Sequence, residues 1–404
     1  MKKMNKLYII FFSYCFLNIT ALYANTCGDT SGSDLSGIII DQITLTKSQS
    51  PYCITDDLII GGNTQFTIEP GVIVKFLTEP TISKKLNIIV LGKIVARGTQ
   101  DDQIIFTSSN PSPSPGDWGS IHLRNNSKAA IYDENGEYVD GSIFEYVIVE
   151  YGGSVDDKST IKAEESPFMK HVTIRNNKNT GVYFTNSAQL VNCVFINNNC
   201  LNNPSAVAAE SDITIINSIF QNNTSNKQTI LATDLKMENS ICIENDGENI
   251  VQLSNGSITR CSILNNSGIG VVSDNYTISI AHSNIYSNDA YNIYNDSPNN
   301  ITVTTCFLGA PDINTAMTYI YDKTDNPNNG NVIVEMLLTQ MTSDAPQLFS
   351  KFKPLQQIIL MLDILAENNE QELIFEDNMT FSMLNNMEKI IYLMKNFANS
   401  NNDD

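Results

Sequence analysis

The chain has 404 residues, a formal charge of −20 and 42% hydrophobic against 17% charged residues, which is enough material for one large domain or two ordinary ones. The excess of 44 acidic over 24 basic residues argues against a nucleic-acid partner, because a phosphate backbone would be repelled rather than neutralised. Only three histidines are present, His122, His171 and His282, so a metal site built on imidazole is not expected.

Residues 1–24 begin with lysines, pass through an apolar stretch from Leu7 to Leu17 and end on Ala24, the pattern of a secretory signal peptide. The apolar stretch is short for a bilayer span and is interrupted by Ser13, Tyr14 and Asn18. Export would place the chain in an oxidising compartment, where Cys27 and Cys53 of the N-terminal segment 25–57 are candidates for a disulfide. Cys193, Cys200, Cys242, Cys261 and Cys306 sit in apolar, strand-like segments and read as small core residues.

From residue 146 the chain repeats. YVIVEYG (146–152), HVTIRNN (171–177), NCVFINN (192–198), NSIFQNN (217–223), NSICIEN (239–245), CSILNNS (261–267) and HSNIYSN (282–288) each give one short strand that usually ends in Asn, and TTCFLGA (304–310) continues the row. The second residues, Val147, Val172, Cys193, Ser218, Ser240, Ser262, Ser283 and Thr305, are spaced by 25, 21, 25, 22, 22, 21 and 22. About three short strands fit each period, and period-2 alternation within them is met when each coil stacks on the next at about 4.8 Å. The pattern therefore predicts an all-β chain, a parallel β-helix over 58–347, followed by a helical C-terminal segment over 348–404.

The same geometry explains the asparagines. Asn tolerates the left-handed conformation of a tight corner, and its amide can both donate to and accept from an Asn stacked above it. Asn192, Asn217 and Asn239 are predicted to form one ladder column. Asn176, Asn197, Asn222 and Asn266 form a second, interrupted by Glu244 and Ser287. With Val147, Val172, Cys193 and Ser218 pointing in, Ile148, Thr173, Val194, Ile219, Ile241 and Ile263 are predicted to form an apolar outer stripe.

LIIGGNTQFTIEPGVIVKF (58–76), LNIIVLGKIVARGTQDDQIIFTSSN (86–110) and PGDWGSIHL (115–123) precede the repeats. Together with the Asn-ended repeats and the exit segment 304–335, they resemble secreted bacterial right-handed parallel β-helix proteins of the pectin-lyase-like superfamily. In that resemblance Gly71, Gly98 and the Asp117-Trp118-Gly119 turn mark the first three coils, while Phe307-Leu308-Gly309 stands where a Trp-Gly pair is usual. The superfamily includes polysaccharide lyases, polygalacturonases and surface adhesins, so the resemblance implies a right-handed fold without naming a reaction.

A lyase would need stacked carboxylates to hold calcium and a nearby Arg or Lys base. The outer column Glu150, Arg175, Ile196, Gln221, Ile243, Asn265 and Tyr286 offers no such ladder. The paired Asp and Gly-His-Gly turn of a polygalacturonase are also missing. Carboxylates gather in sequence at Glu210, Asp212, Asp234, Glu238, Glu244, Asp246 and Glu248, which leaves a Ca²⁺ site open, and the insert 131–141 reads as a projecting loop of the kind that carries binding. Tyr276, Tyr286, Tyr291 and Tyr294 are candidates for stacking against sugars.

Past residue 350 the apolar spacing becomes helical: Leu355, Ile358, Leu362 and Leu365 form one stripe, and Leu384, Met387, Ile391, Met394 and Ala398 another. These helices are expected to cap the last coil, to lie along the apolar stripe or to pair with another chain, with capping placed first. The function expected is a secreted or envelope-associated scaffold that binds a glycan or a surface protein without catalysis, with no retained membrane anchor. The competing expectation is a polysaccharide lyase or glycoside hydrolase acting on acidic polysaccharide.

Overall fold

The computed structural model describes residues 26–28, 32–78, 84–134, 136–154 and 159–346. The predicted signal peptide and the predicted C-terminal helices lie outside these residues. The described chain is a parallel β-solenoid of about twelve turns. The turns contribute strands to three long sheets, and each strand of those sheets pairs in parallel with its equivalent one coil away.

The first sheet runs from Asp34–Ile39 through Tyr52–Ile60 and Ile88–Val90 to Ile320–Tyr321. The second runs from Ile43–Leu45 through Gln65–Ile68 and Lys93–Arg97 to Val332–Val334. The third includes Ile73–Phe76, Ile104–Ser108, Val194–Ile196, Ile219–Gln221 and Ile241–Ile243, and ends at Leu337–Leu338. Stacking begins at Asp34, which pairs with Cys53, so most of 25–57 belongs to the first coil of the solenoid. Cys27 and Cys53 form a disulfide, Cα atoms 5.6 Å apart, that ties the start of the chain to that coil. One short α-helix, Ile313–Met317, interrupts the last turns, capped by Asp312, whose side chain accepts from the Thr315 backbone N–H.

The alternation inferred from sequence holds along the third sheet. Val147, Val172, Cys193 and Ser218 are buried inside the tube, next to a second inner column that includes Ile174, Phe195, Phe220 and Cys242. Phe195 and Phe220 stack with ring centroids 5.0 Å apart. The register then departs from the sequence reading by one residue. Ser262 pairs with Ile241 and Ile263 with Cys242, so Cys261 takes the inner place assigned to Ser262 and Ile263 is core, not outer stripe. Leu264, and not Asn265, pairs with Ile243 in the outer column, and Cys306 replaces Thr305 inside. The cause is Arg260, the residue that turns this coil's corner at φ 52°, one position earlier than alignment on Ser262 implies.

Two corners per coil are made by residues in the left-handed region. Asn192, Asn217 and Asn239 turn the chain from the second sheet to the third with φ 54°, 52° and 49°, in one column with Tyr146, His171, Arg260, His282 and Thr305. Their side chains do not form an amide ladder. Asn192 Nδ2 meets the His171 ring at 3.4 Å, and Asn239 Oδ1 accepts from Arg260 Nε at 3.2 Å. After the third sheet, Asn176, Asn197, Asn222, Glu244, Asn265 and Ser287 turn the second corner, also at positive φ.

The hydrogen-bonded ladder belongs to the residues that follow, Asn177, Asn198, Asn223, Asn245, Asn266 and Asn288, all buried. Asn266, assigned from sequence to the corner column, is one of them. Asn223 shows the pattern. Its Nδ2 donates to Phe195 O at 2.9 Å and to Asn245 Oδ1 at 3.0 Å, while its Oδ1 accepts from Asn198 N and Nδ2 at 3.1 and 2.9 Å. Each amide thus satisfies a main-chain carbonyl of the third-sheet strand on the preceding coil and the next coil's amide together, which answers the demand of buried backbone polar groups for partners. The ladder is preceded by Gly152, where a Cβ would stand 2.6 Å from the Trp118 ring. Trp118 is fully buried, stacks on Phe76 at 4.0 Å and donates its indole N–H to Glu150 O at 2.8 Å.

Replacing Asn223 by Ala strands the Phe195 carbonyl and two neighbouring amides, and is expected to cost about 3 kcal/mol. Asn222→Gly, one residue earlier, keeps the left-handed corner accessible and is expected to change stability by less than about 1 kcal/mol. Urea unfolding of the two variants measures the contrast, and equal losses would contradict the roles assigned to this pair.

Candidate functional site

The outer faces of the N-terminal coils carry the concave surfaces of interest. On the second sheet, Thr44 and Thr67 are stacked neighbours, as are Gln65 and Lys93, all on the outer face of their strands. The 131–141 insert overhangs them. Ile131–Tyr132 and Tyr138–Asp140 pair antiparallel as a hairpin; Asn135, at its tip, lies outside the described residues. Tyr138 stacks on Phe168 at 5.8 Å and Tyr132 meets the same ring edge-on at 5.7 Å, which fixes the hairpin by aromatic contact. Burial pushes the Tyr132 hydroxyl up to about 12, so the ring stays neutral. Tyr138 also donates its hydroxyl to Gly141 O at 2.7 Å, and an ion pair between Lys93 and Asp140 ties the hairpin to the sheet. Gly141, at φ +99°, turns the chain back into the coil where a Cβ would strike the Ala129 carbonyl.

The hairpin and the sheet enclose an open groove of about 790 Å³. Its lining offers the amides of Gln42, Asn63 and Gln65, the hydroxyls of Thr44 and Thr67, two lysines, Lys93 and Lys128, and two carboxylates, Asp140 and Glu165. Gln42 is braced by its own bonds, donating to Asn63 O at 3.1 Å and accepting from Gln65 N at 2.6 Å. Amides and hydroxyls, which can both donate and accept, are interspersed with apolar surface from Ile43, Ala129 and Ile131, and the two lysines are balanced by the two carboxylates.

A second, smaller depression of about 430 Å³ lies on the first sheet, lined by Asn125, Lys162, Glu164, Tyr183, Thr185, Asn186 and Glu210. His122, Lys162 and Tyr183 stack on successive coils. Glu164 gathers their charge: its Oε1 lies 2.9 Å from His122 Nε2 and 3.3 Å from Lys162 Nζ, and its Oε2 accepts from Asn125 N at 3.0 Å. Desolvation of the half-buried ring lowers the His122 pKa below 6.5 and outweighs the Glu164 contact, with Lys162 and Arg124 adding to the depression. Burial pulls Glu164 the other way, but its hydrogen bonds to His122, Asn125 and Lys162 prevail and hold its pKa below 4.5. A neutral His122 donating from Nε2 to an ionised Glu164 satisfies both. Tyr183 donates to Glu210 on the rim.

The remaining candidates from sequence separate. Arg175 is paired with Glu150 at 2.7 Å, and Glu150 also accepts from Thr107 at 2.8 Å. The carboxylates of 210–248 disperse: Glu210 to Tyr183, Glu238 to Arg260, Glu244 to Gln221, Glu248 to Lys227 at 3.9 Å. Asp212 and Asp234 do stack on adjacent coils, with Asn255 donating to Asp234. Among the described residues no three His, Cys, Asp or Glu side chains are grouped to hold a metal ion.

His171 stacks on Tyr146 at 4.4 Å. Tyr294 and Tyr321 stack at 4.3 Å with Tyr291 edge-on to both, Tyr286 packs edge-on to Phe307, and Tyr276 is exposed. Sequence reasoning singled out the hairpin as a loop but missed the groove floor, because Thr44, Thr67 and Lys93 stand in coils before the legible repeat. It also missed Glu164, whose role depends on three stacked neighbours.

Comparison with known proteins agrees with the architecture. Residues 37–163, which include the floor of the larger groove, match the family model described as a pectate-lyase like beta helix domain. No curated protein matches the chain. A solved structure with similarity is the full-length tailspike protein 2 of Escherichia coli O157:H7 bacteriophage CAB120, at 14% identity and TM-score 0.30, covering 70% of this chain and 37% of the tailspike. The chain therefore spans little more than a third of that protein. No described helix is long and apolar enough to cross a membrane.

The depressed His122 pKa fixes the sign of a pH effect. Above pH 6.5 the ring is neutral folded and unfolded and the fold keeps its full stability; below it the unfolded chain takes up the proton first, so stability falls with pH. Urea midpoints of the wild type are expected to drop from pH 7.5 to 5.5, and His122→Gln, which keeps a donor for Glu164, is expected to make that drop smaller. An unchanged drop in the variant would remove His122 as its source.

Proposed function

We propose that the protein is an exported β-helical scaffold that binds a glycan in the groove beneath the 131–141 hairpin. The observation that carries this reading is the groove itself: about 790 Å³, within the range of ligand clefts, and lined by amides and hydroxyls on a rigid stacked floor. Sugar hydroxyls both donate and accept, so side chains with the same double capacity match them without a strong net charge. Stacked coils repeat such groups at about 4.8 Å, a spacing that suits a chain of linked units lying along the solenoid. Export is supported by the leader-like 1–24 and by the Cys27–Cys53 disulfide, since such bridges persist in oxidising compartments.

A second reading has one specific observation in its favour. Glu164 and Glu210 line the same depression with Lys162 and Tyr183, a set that includes the residue types of acid–base chemistry on acidic polysaccharide. It ranks below binding because Glu164 is committed to hydrogen bonds that keep it ionised, which removes it as a general acid at neutral pH.

The test is a glycan array probed with the wild type and with Thr44→Arg/Thr67→Arg, which fills the groove floor. The filled variant is expected to bind at least about tenfold more weakly, a change of about 1.4 kcal/mol. Thr302→Arg, on the outer face of the second sheet in a late coil, serves as the control and is expected to bind like the wild type. Equal binding by the filled variant would sink the groove as the site. Oligosaccharide release that is lost in Glu164→Gln would move the assignment to the second reading.

A further inference from the structure

The third sheet carries the other unexplained surface. Val194, Ile219 and Ile241 form a column on the outside of the tube, yet Ile219 and Ile241 are only 2% and 1% exposed, and Ile196, in the parallel outer column, is 1% exposed. Ile196, Ile219 and Val194 form a cluster of their own, separate from the core inside the coils. The coils place these side chains outward, so their burial calls for chain lying over the face.

The path of the chain after the last coil supplies a direction. Leaving Leu337–Leu338 at the end of the third sheet, it does not cross the open end of the solenoid but runs back over the outer face. Met341 Sδ meets Tyr286 OH at 3.1 Å, Thr342 exchanges bonds with Asn284 at 2.8 and 3.2 Å, Asp344 lies 3.4 Å from His282, and Ser262 donates to Pro346 O at 2.6 Å. Asn284 and Ser262 occupy the same outer column as Ile241 and Ile219, one coil apart each. In five residues the strap has descended from the level of Asn284 to that of Ser262, and the next positions along its course are Ile241, Ile219 and Val194.

We propose that residues 347–404 continue this strap and seat an apolar helical stripe on the outer column of the third sheet, so that the occupant of the face is the protein's own C-terminal segment. The dimensions agree. From Ser262 to Val194 is three coil spacings, about 14 Å, and the stripe Leu355, Ile358, Leu362 and Leu365 covers eleven helical residues, about 16 Å. The chemistry agrees as well: the column turns from polar, Asn284 and Ser262, where the strap is hydrogen-bonded, to apolar, Ile241 and Ile219, where the sequence of the segment becomes amphipathic. This placement differs from capping of the open end, and it leaves the groove on the second sheet uncovered.

Ile219→Cys reports on the cover by its rate of maleimide labelling, with the five free cysteines among the described residues, all buried, as slow internal references. The full chain is expected to label at least tenfold more slowly than the same chain ending at 346. Ile358→Asp/Leu362→Asp in the full chain is expected to reproduce the faster rate, and it decides the matter if the shortened chain does not fold. Equal rates in all forms would overturn the proposal, as would acceleration by truncation but not by the Asp pair. Protection in the full chain that disappears on dilution would assign the cover to a second copy and overturn it too.

Discussion

The structure depends on how a coil closes its second corner. A chain that turns sharply inside a tube must bury main-chain carbonyl and amide groups that no strand partner can reach, and leaving one unpaired costs about 1–3 kcal/mol. Here the buried amides of Asn177 through Asn288 meet that demand, each bonding a carbonyl on its neighbouring coil and the amide stacked on it. Because each amide from Asn198 to Asn266 is fixed between two others, the corner has one geometry, and a slip of one residue in any of these coils would point its Asn out of the tube. The ladder thereby sets the phase of the third sheet and, through it, which residues face outward.

That constraint separates what varies from what cannot. Along the apolar inner column volume is the requirement, so Phe220, Cys242 and Ile263 succeed one another. At the corners the left-handed residue can be Asn, Glu, Arg, His or Ser, since its neighbours are bonded through the main chain. Outside, no rule of stacking acts on side-chain chemistry. The second sheet can therefore present Thr44, Thr67 and Lys93 in one region while the third presents Ile219 and Ile241 in another, and an insertion such as 131–141 can leave the solenoid between coils without disturbing either.

The period of 21 to 25 residues was legible because a solenoid repeats its backbone, and the alternation within it was legible because side chains in strands alternate. The phase of the ladder was not read correctly. Asn176-Asn177, Asn197-Asn198, Asn222-Asn223 and Asn265-Asn266 are doublets in which the corner residue and the ladder residue have the same identity. The informative pairs are Glu244-Asn245 and Ser287-Asn288: where the corner residue changes, the second residue stays Asn, because only it must donate and accept in the interior. Read from those two coils, Asn266 falls into the ladder and the register at 261–264 follows.

The groove was illegible for a different reason. Its lining comes from the first coils and from a hairpin, and its members lie up to 123 residues apart, between Gln42 and Glu165, in segments that share no repeat with the later coils. What joins them is spacing across coils, which the sequence does not display until the strand register is known: Thr44 lies beside Thr67 and Gln65 beside Lys93 only because each strand pairs with its equivalent. The hairpin's contribution also passes through a third party, Phe168, on which Tyr132 and Tyr138 rest. A function carried on the outside of a solenoid is in this sense written in the pairing of its coils, and the ladder that fixes the pairing is a precondition of the surface although it touches none of it.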